Sequence, residues 1–244
     1  MNLIKLFTDD KNISAYFTEA NRETVNETGV IPGLNFGHNT LADDNEVENN
    51  FNSLFSQIGW TSDKIALADQ IHGSHIEIVK KSGIYSSTDG LITTIPDLPI
   101  GIRVADCAAV FMTDPAKKII GIFHAGWRGA SENIVPKGID LMINAGASVD
   151  EIKVYLSPCI LQSNFEVGEE VAVLFPDQFV NYSDYEKPHI DLRGFLKNQC
   201  ITKGIKESHI KQSQECTVSN DRYFSYRRER EGAGRMLAVM KING

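Results

Sequence analysis

β-prone apolar residues gather in segments 65–70, 76–79, 100–112 and 119–123. Residues 130–145 instead carry Ile134, Ile139, Leu141, Met142 and Ala145 at helical spacing. Further on, 152–156 reads as a strand, 167–174 and 192–203 as helices, and 236–242 as a closing strand. Strands and helices therefore interleave without a strict βαβ beat, which predicts an α/β fold of mixed sheets with α+β character. No Gly-x-Gly-x-x-Gly follows a strand, so a dinucleotide fold has no support. With no Pro/Gly/Ser linker, repeat or low-complexity stretch, residues 1–244 are expected to form a single catalytic domain.

Composition narrows the partners. The chain is 42% hydrophobic and 23% charged, as ordinary globular proteins are, and its net charge of −8 argues against nucleic acid. Its densest basic cluster is only Tyr226-Arg-Arg-Glu-Arg230. The first ten residues lack an apolar core behind a basic end, and no apolar run approaches the ~18 residues of a membrane span. A cytoplasmic protein with no membrane partner is the expectation. Cys107, Cys159, Cys200 and Cys216 lack CxxC spacing and are expected to be reduced thiols, with Cys159 and Cys216 buried.

Candidate chemistry centres on His72, Cys107 and His124. Imidazole and thiolate both suit zinc or copper, and three protein ligands with a fourth position open mark a catalytic metal site. If Asp114-Pro-Ala-Lys117 is a hairpin loop, Thr113 faces Lys118 and Cys107 falls opposite His124. Opposed residues share a face with Cβ atoms ~4.5–5.5 Å apart, close enough to share a metal, whereas a one-residue slip would separate them. Gly73 lets the backbone turn sharply beside His72. His75 is a possible substitute ligand without that glycine-flanked setting. Asp106 would either orient a histidine or tie down a loop through backbone N–H groups.

Arginines and asparagine supply candidate substrate contacts. Arg128, at the start of the 130–145 helix, could donate to an anion or lock that helix to the sheet. Arg227, with Arg228 and Arg235, adds charge, and strand alternation would set these guanidiniums opposite Phe224 and Tyr226. Asn35 could bond a nucleoside or form a turn. Trp127 is expected in the core.

Six ordered motifs, Gln70-Ile-His-Gly73, Thr88-Asp-Gly-Leu-Ile92, Ala105-Asp-Cys107, His124-Ala-Gly-Trp-Arg-Gly129, Ser157-Pro-Cys-Ile160 with Phe165-Glu-Val-Gly168, and Phe224-Ser-Tyr-Arg-Arg228 with Gly234-Arg235, resemble the laccase-domain or multicopper polyphenol oxidase family. Gly33-Leu-Asn-Phe-Gly37 resembles that family's amino-terminal signature. Two departures, Ile71 for a frequent valine and Ser157 for a usual glycine, spare the proposed ligands. The resemblance implies a fold related to toxin-type cysteine hydrolases and assigns zinc or copper to His72, Cys107 and His124. It implies purine nucleoside phosphorylase activity (adenosine, inosine, guanosine, methylthioadenosine, with phosphate) alongside adenosine deamination. Copper polyphenol oxidation and cysteine-dependent amidase editing of peptidoglycan precursors are its alternatives.

Overall fold

The computed structural model describes residues 2–22, 33–38 and 40–244. In chain order its strands are β1 (Leu3–Leu6), β2 (Ile13–Thr18), β3 (Ala66–Asp69), β4 (Ile76–Ile78), β5 (Gly83–Ser86), β6 (Gly90–Thr93) and β7 (Ile100–Val104). Then come β8 (Ala108–Asp114), β9 (Ile119–Ala125), β10 (Lys153–Leu156), β11 (Val180–Asn181), β12 (His189–Ile190), β13 (Ile210–Gln212) and β14 (Met236–Ile242). The α-helices are α1 (Asp44–Gln57), α2 (Trp127–Ser131), α3 (Ile134–Asn144), α4 (Glu169–Ala172), α5 (Leu192–Thr202) and α6 (Tyr226–Glu229). A first mixed sheet runs β1-β2-β14-β7-β3-β5 and a second runs β13-β10-β8-β9-β6-β4.

Side-chain alternation sorts these elements into four layers. Ile100, Ile102 and Met236 of the first sheet meet Ala109, Phe111 and Ile122 of the second in one buried layer. Val110, Met112 and Phe123 point the other way, onto Ile134, Ile139 and Met142 of α3 and Leu196 of α5. Leu237 and Val239 leave the first sheet toward Val47, Phe51, Leu54 and Phe55 of α1. Because β8 and β9 are covered on both faces, their sequences are almost continuously apolar. Each large aliphatic buried here contributes about 1.5–3 kcal/mol relative to exposure. A Cβ at Gly121 or Gly138 would lie 2.7 or 2.6 Å from the Phe123 ring, so both glycines make the slot that seats this ring on the sheet face opposite His124.

The mixed α/β architecture agrees with the sequence, but three local expectations are corrected. The apolar run 100–112 is two strands in different sheets, broken where Asp106 takes φ 80°. The helix expected over 130–145 is divided between α2 and α3 by Asn133 at φ 65°. At the hairpin, Thr113 faces Ile120 and Ala109 faces His124. The loop is residues 115–118, with Lys118 at φ 53°. The register is thus displaced by two residues, which preserves sheet faces because side chains alternate with period two. Cys107 projects toward Gly126, where an added Cβ would meet its sulfur at 2.8 Å.

Candidate metal centre

His124 closes β9 from the face that packs between the sheets, while Cys107 follows the break at Asp106. His72 lies in the turn after β3 with φ 62°. The three side chains meet: one donor atom from each lies within 4.8 Å of the others. The two imidazoles sit edge to face, with centroids 4.9 Å apart. His124 is buried, Cys107 half-buried and His72 exposed, so the cluster faces a cavity of about 420 Å³.

Asp89, immediately before β6, organises this cluster. Its carboxylate is fully buried, and Oδ1 accepts from His124 Nδ1 at 2.7 Å. It also accepts from the backbone N–H groups of Ile71, His72 and Gly73 at 3.2, 3.0 and 2.7 Å. One carboxylate therefore orients one imidazole by its ring and the other by its backbone turn. Burial opposes ionisation of Asp89, but the bond from His124 and the N–H groups of Gly73 and Ile71 hold its pKa below the usual carboxylate value. The sequence signal was a charged residue at the head of the apolar Gly90–Thr93 strand, which is costly to bury without partners.

Burial likewise opposes the Cys107 thiolate, yet the positive charge of His124 and hydrogen bonds from both imidazoles lower the thiol pKa to about 6. Burial pulls His124 down, while the Cys107 thiolate and Asp89 together raise it to about 9. Without metal the pair is a thiolate and an imidazolium. The donor set fits a zinc or copper ion: a soft sulfur already anionic near neutral pH, two imidazoles converging on it, and a carboxylate holding the far nitrogen of one ring. Among the described residues this is the one group of His, Cys, Asp or Glu side chains placed to hold a metal.

Other sequence candidates are placed differently. Asp106 accepts from Thr217 Oγ1 at 2.6 Å and from the Arg227 N–H at 2.6 Å, so it ties loops together and the orienting role belongs to Asp89. Asn35 is buried, its Oδ1 accepting from the N–H groups of Gly37 and Arg235, which is the turn-forming alternative. Arg128 lines the cavity with its guanidinium 4.2 Å above the Trp127 ring. Trp127 is only half-buried and shares that lining rather than lying wholly in the core. Arg227 also lines the cavity, anchored on the carbonyls of Asn164 and Glu166. Residues 226–229 form α6 rather than an alternating strand, with Phe224 buried and Tyr226 at the cavity. His75 pairs with Glu77 away from the cluster. His38 lines the cavity and bonds Asp44. Arg103, also in the lining, was not singled out by sequence reasoning.

Cys159, Cys200 and Cys216 are free, buried thiols, with Cys159 and Cys200 pushed up to about 12 by desolvation. Ser157, which replaces a usual glycine, accepts the Ala109 N–H at 2.9 Å and so braces the start of β8. Among the described residues no helix is long and apolar enough to cross a membrane.

Layered mixed sheets with a two-histidine, one-cysteine cluster in a cavity define a mixed α/β protein whose cluster could hold a metal ion. Residues 15–243 match the family described as multi-copper polyphenol oxidoreductase laccase, and the chain belongs to that family. It is 31% identical to a purine nucleoside phosphorylase of Deinococcus radiodurans over 88% of this chain and 84% of that protein. It is 29% identical to adenosine deaminase RL5 of an unknown prokaryotic organism, over 75% and 77% of the two chains. The crystal structure of YlmD from Geobacillus stearothermophilus has the same fold, with TM-score 0.89 at 24% identity over 97% of this chain and 94% of that one. The Bacillus licheniformis protein YfiH superposes with TM-score 0.88 at 25% identity, over 95% and 93%.

Proposed function

We propose that this protein is a metal-dependent purine nucleoside phosphorylase, acting on adenosine, inosine, guanosine and methylthioadenosine, with adenosine deamination at the same centre. The observation that carries the reading is the convergence of His72, Cys107 and His124 on a cavity walled by arginines and the Trp127 indole. The relatives named as a phosphorylase and a deaminase support it. In phosphorolysis an oxygen of hydrogenphosphate bonds to C1′ of the ribose while the C1′–N9 bond breaks. The bonding pair stays with the purine, which takes up the hydrogenphosphate proton. Deamination adds water at C6 of adenosine and releases ammonia.

His72, Cys107 and His124 would hold zinc, which supplies Lewis acidity when bound. Asp89 fixes the tautomer and direction of His124, and Arg128 and Arg227 add positive charge to the cavity wall. The Trp127 and Tyr226 rings offer aromatic surface for a base, one face of each lying under a guanidinium, from Arg128 and Arg235 respectively. A copper oxidase needs further metal centres, and His75 and His189 are engaged by Glu77 and by Tyr185 and Gln162.

A second reading rests on a specific contact: His124 joins Cys107 on one side and Asp89 on the other, the arrangement of a nucleophilic cysteine with an oriented base. Under it, Cys107 would attack an amide of a cell-wall precursor. Incubating protein of measured metal content with inosine and phosphate, with a phenol and oxygen, and with a muramyl amino acid precursor separates the readings by product. Free hypoxanthine and ribose 1-phosphate are expected, and zinc-loaded protein that releases no purine would overturn the proposal.

A further inference from the structure

We propose that Arg103 and Arg235 form the seat for inorganic phosphate, an assignment that rests on the phosphorylase reading and adds the position of its second substrate. Both side chains line the cavity. Arg103 lies opposite Leu237 in the β7–β14 pairing, and Arg235 stands two residues before Leu237, so the two side chains leave the same face of the first sheet. Their charges are close enough that Arg235 depresses the Arg103 pKa, on top of a larger effect of burial.

What sets these arginines apart is burial without a carboxylate partner: desolvation lowers the pKa of both, as it does for Arg22, but Arg22 alone of the three is ion-paired, to Glu229. Outside the cavity, Arg22 and Arg228 are bound to Glu229 and Arg222 to Glu19. Among the described residues no carboxylate comes within ion-pair distance of Arg103 or Arg235, in a chain of net charge −8. Their hydrogen bonds go only to backbone: Arg103 Nη2 donates to Ala68 O at 3.3 Å, and Arg235 Nη1 donates to Ala233 O at 2.6 Å and Gly234 O at 3.0 Å, while the Arg235 guanidinium also lies 5.9 Å from the Tyr226 ring centroid. Asp69 faces Arg103, and Asp106 and Glu231 face Arg235, all at longer range. Most of the five N–H donors on each guanidinium remain for a ligand. Two half-buried, mutually repelling guanidiniums gain most from a multiply charged oxyanion that bonds both.

The backbones beneath them are clamped. Gln70 donates to Arg103 O at 2.7 Å and accepts from Arg103 N–H at 2.8 Å, while Asn35 accepts from Arg235 N–H at 2.7 Å. Side-chain amides from distant segments thus hold both arginines in place before any ligand arrives, which lowers the ordering cost of binding. Gln70 immediately precedes the turn that carries His72, and the Cys107 thiolate acts on Arg235, so this seat adjoins the metal cluster. Arg128 and Arg227 suit it less: the first is exposed, and the second has both terminal nitrogens on carbonyls, whereas Arg103 and Arg235 each commit one.

The test is phosphate binding measured by calorimetry on the wild type, Arg103→Gln, Arg235→Gln and Arg235→Lys, with phosphate KM in inosine phosphorolysis beside it. Melting temperature and zinc content check that each variant is folded and loaded. Removing either charge-assisted donor set should weaken phosphate roughly 10- to 100-fold in both Kd and KM, leave the KM for inosine within about threefold, and be partly rescued in Arg235→Lys. Calorimetry on Cys107→Ala protein, which should lack the metal, is expected to show phosphate still bound. Both glutamine variants keeping wild-type phosphate affinity would overturn the seat even if inosine is cleaved. Arginine-dependent phosphate binding by a wild type that cleaves no nucleoside would leave the seat standing and remove the phosphorylase reading.

Discussion

Replacing Asp89 by asparagine isolates what the buried carboxylate does for the metal centre. The variant keeps the shape but removes the charge, and its amide NH2 must face at least one N–H it formerly accepted. If the oxygen stays on His124 Nδ1 and the His72 N–H, the NH2 points at the N–H groups of Ile71 and Gly73, which lie 3.2 and 2.7 Å from Oδ2. A buried donor left without an acceptor costs about 1–3 kcal/mol, and the Ile71–Gly73 turn that aims His72 loosens with it. Loss of a carboxylate behind a metal-bound histidine lowers metal affinity roughly 10- to 100-fold, about 1.4–2.7 kcal/mol. Zinc affinity by competition with a chromophoric chelator should therefore fall by that factor in Asp89→Asn, with a Tm decrease in the metal-free protein as well. An Asp89→Asn protein that melts like the wild type and binds zinc within about threefold of it would refute this reasoning.

Four further outcomes follow from the same geometry. Gly126 has φ −80°, acceptable for alanine, but the added Cβ would sit 2.8 Å from Cys107 Sγ. Gly126→Ala should displace the sulfur and weaken zinc at least about 10-fold in the same competition assay while the circular dichroism spectrum is kept. In metal-free protein, Cys107 should be alkylated by iodoacetamide with a midpoint near its pKa of about 6, and His124→Ala should move that midpoint toward the ordinary thiol value. The lowered thiol favours the fold as its thiolate, a contribution lost as pH falls through about 6. The raised imidazole favours it as the imidazolium, a contribution lost as pH rises through about 9. Between those limits the two contributions change in opposite senses and offset, so the melting temperature of metal-free protein should stay nearly level from about pH 6.5 to 9, and a steep slope there would contradict the paired charges. Gln70→Ala, which breaks both bonds to the Arg103 backbone, should cost about 1–3 kcal/mol in a denaturant titration.

The residues of the cluster were legible because their chemistry is local: two imidazoles in glycine-flanked segments and a thiol beside an aspartate in an apolar stretch point to a site whatever the tertiary details. Sheet-face reasoning also survived a misplaced loop, since a displacement of two residues returns every side chain to its own face. What escaped the sequence depends on distant partners. Asp89 and Asp106 are both buried carboxylates beside apolar strands, and only the fold shows that His124 meets the first while Thr217 and Arg227 meet the second. Arg103 sits in an unremarkable strand and becomes informative only when Arg235 arrives beside it from the far end of the chain. The helix α1 was overlooked although Val47, Phe51, Leu54 and Phe55 carry helical spacing, and the break at Asn133 is announced by Pro136, which belongs in a first helical turn and excludes an unbroken helix through residues 132–136.

The central claim, that His72, Cys107 and His124 hold a metal on which nucleoside cleavage depends, is tested most directly by measuring metal stoichiometry and inosine phosphorolysis in the same samples. These are wild type as purified, wild type stripped and reloaded with zinc, and Cys107→Ala. The account predicts one zinc per chain, with activity lost on stripping, restored on reloading, and absent together with the metal in Cys107→Ala. Full phosphorolysis by stripped wild type, or by Cys107→Ala without bound zinc, would contradict it.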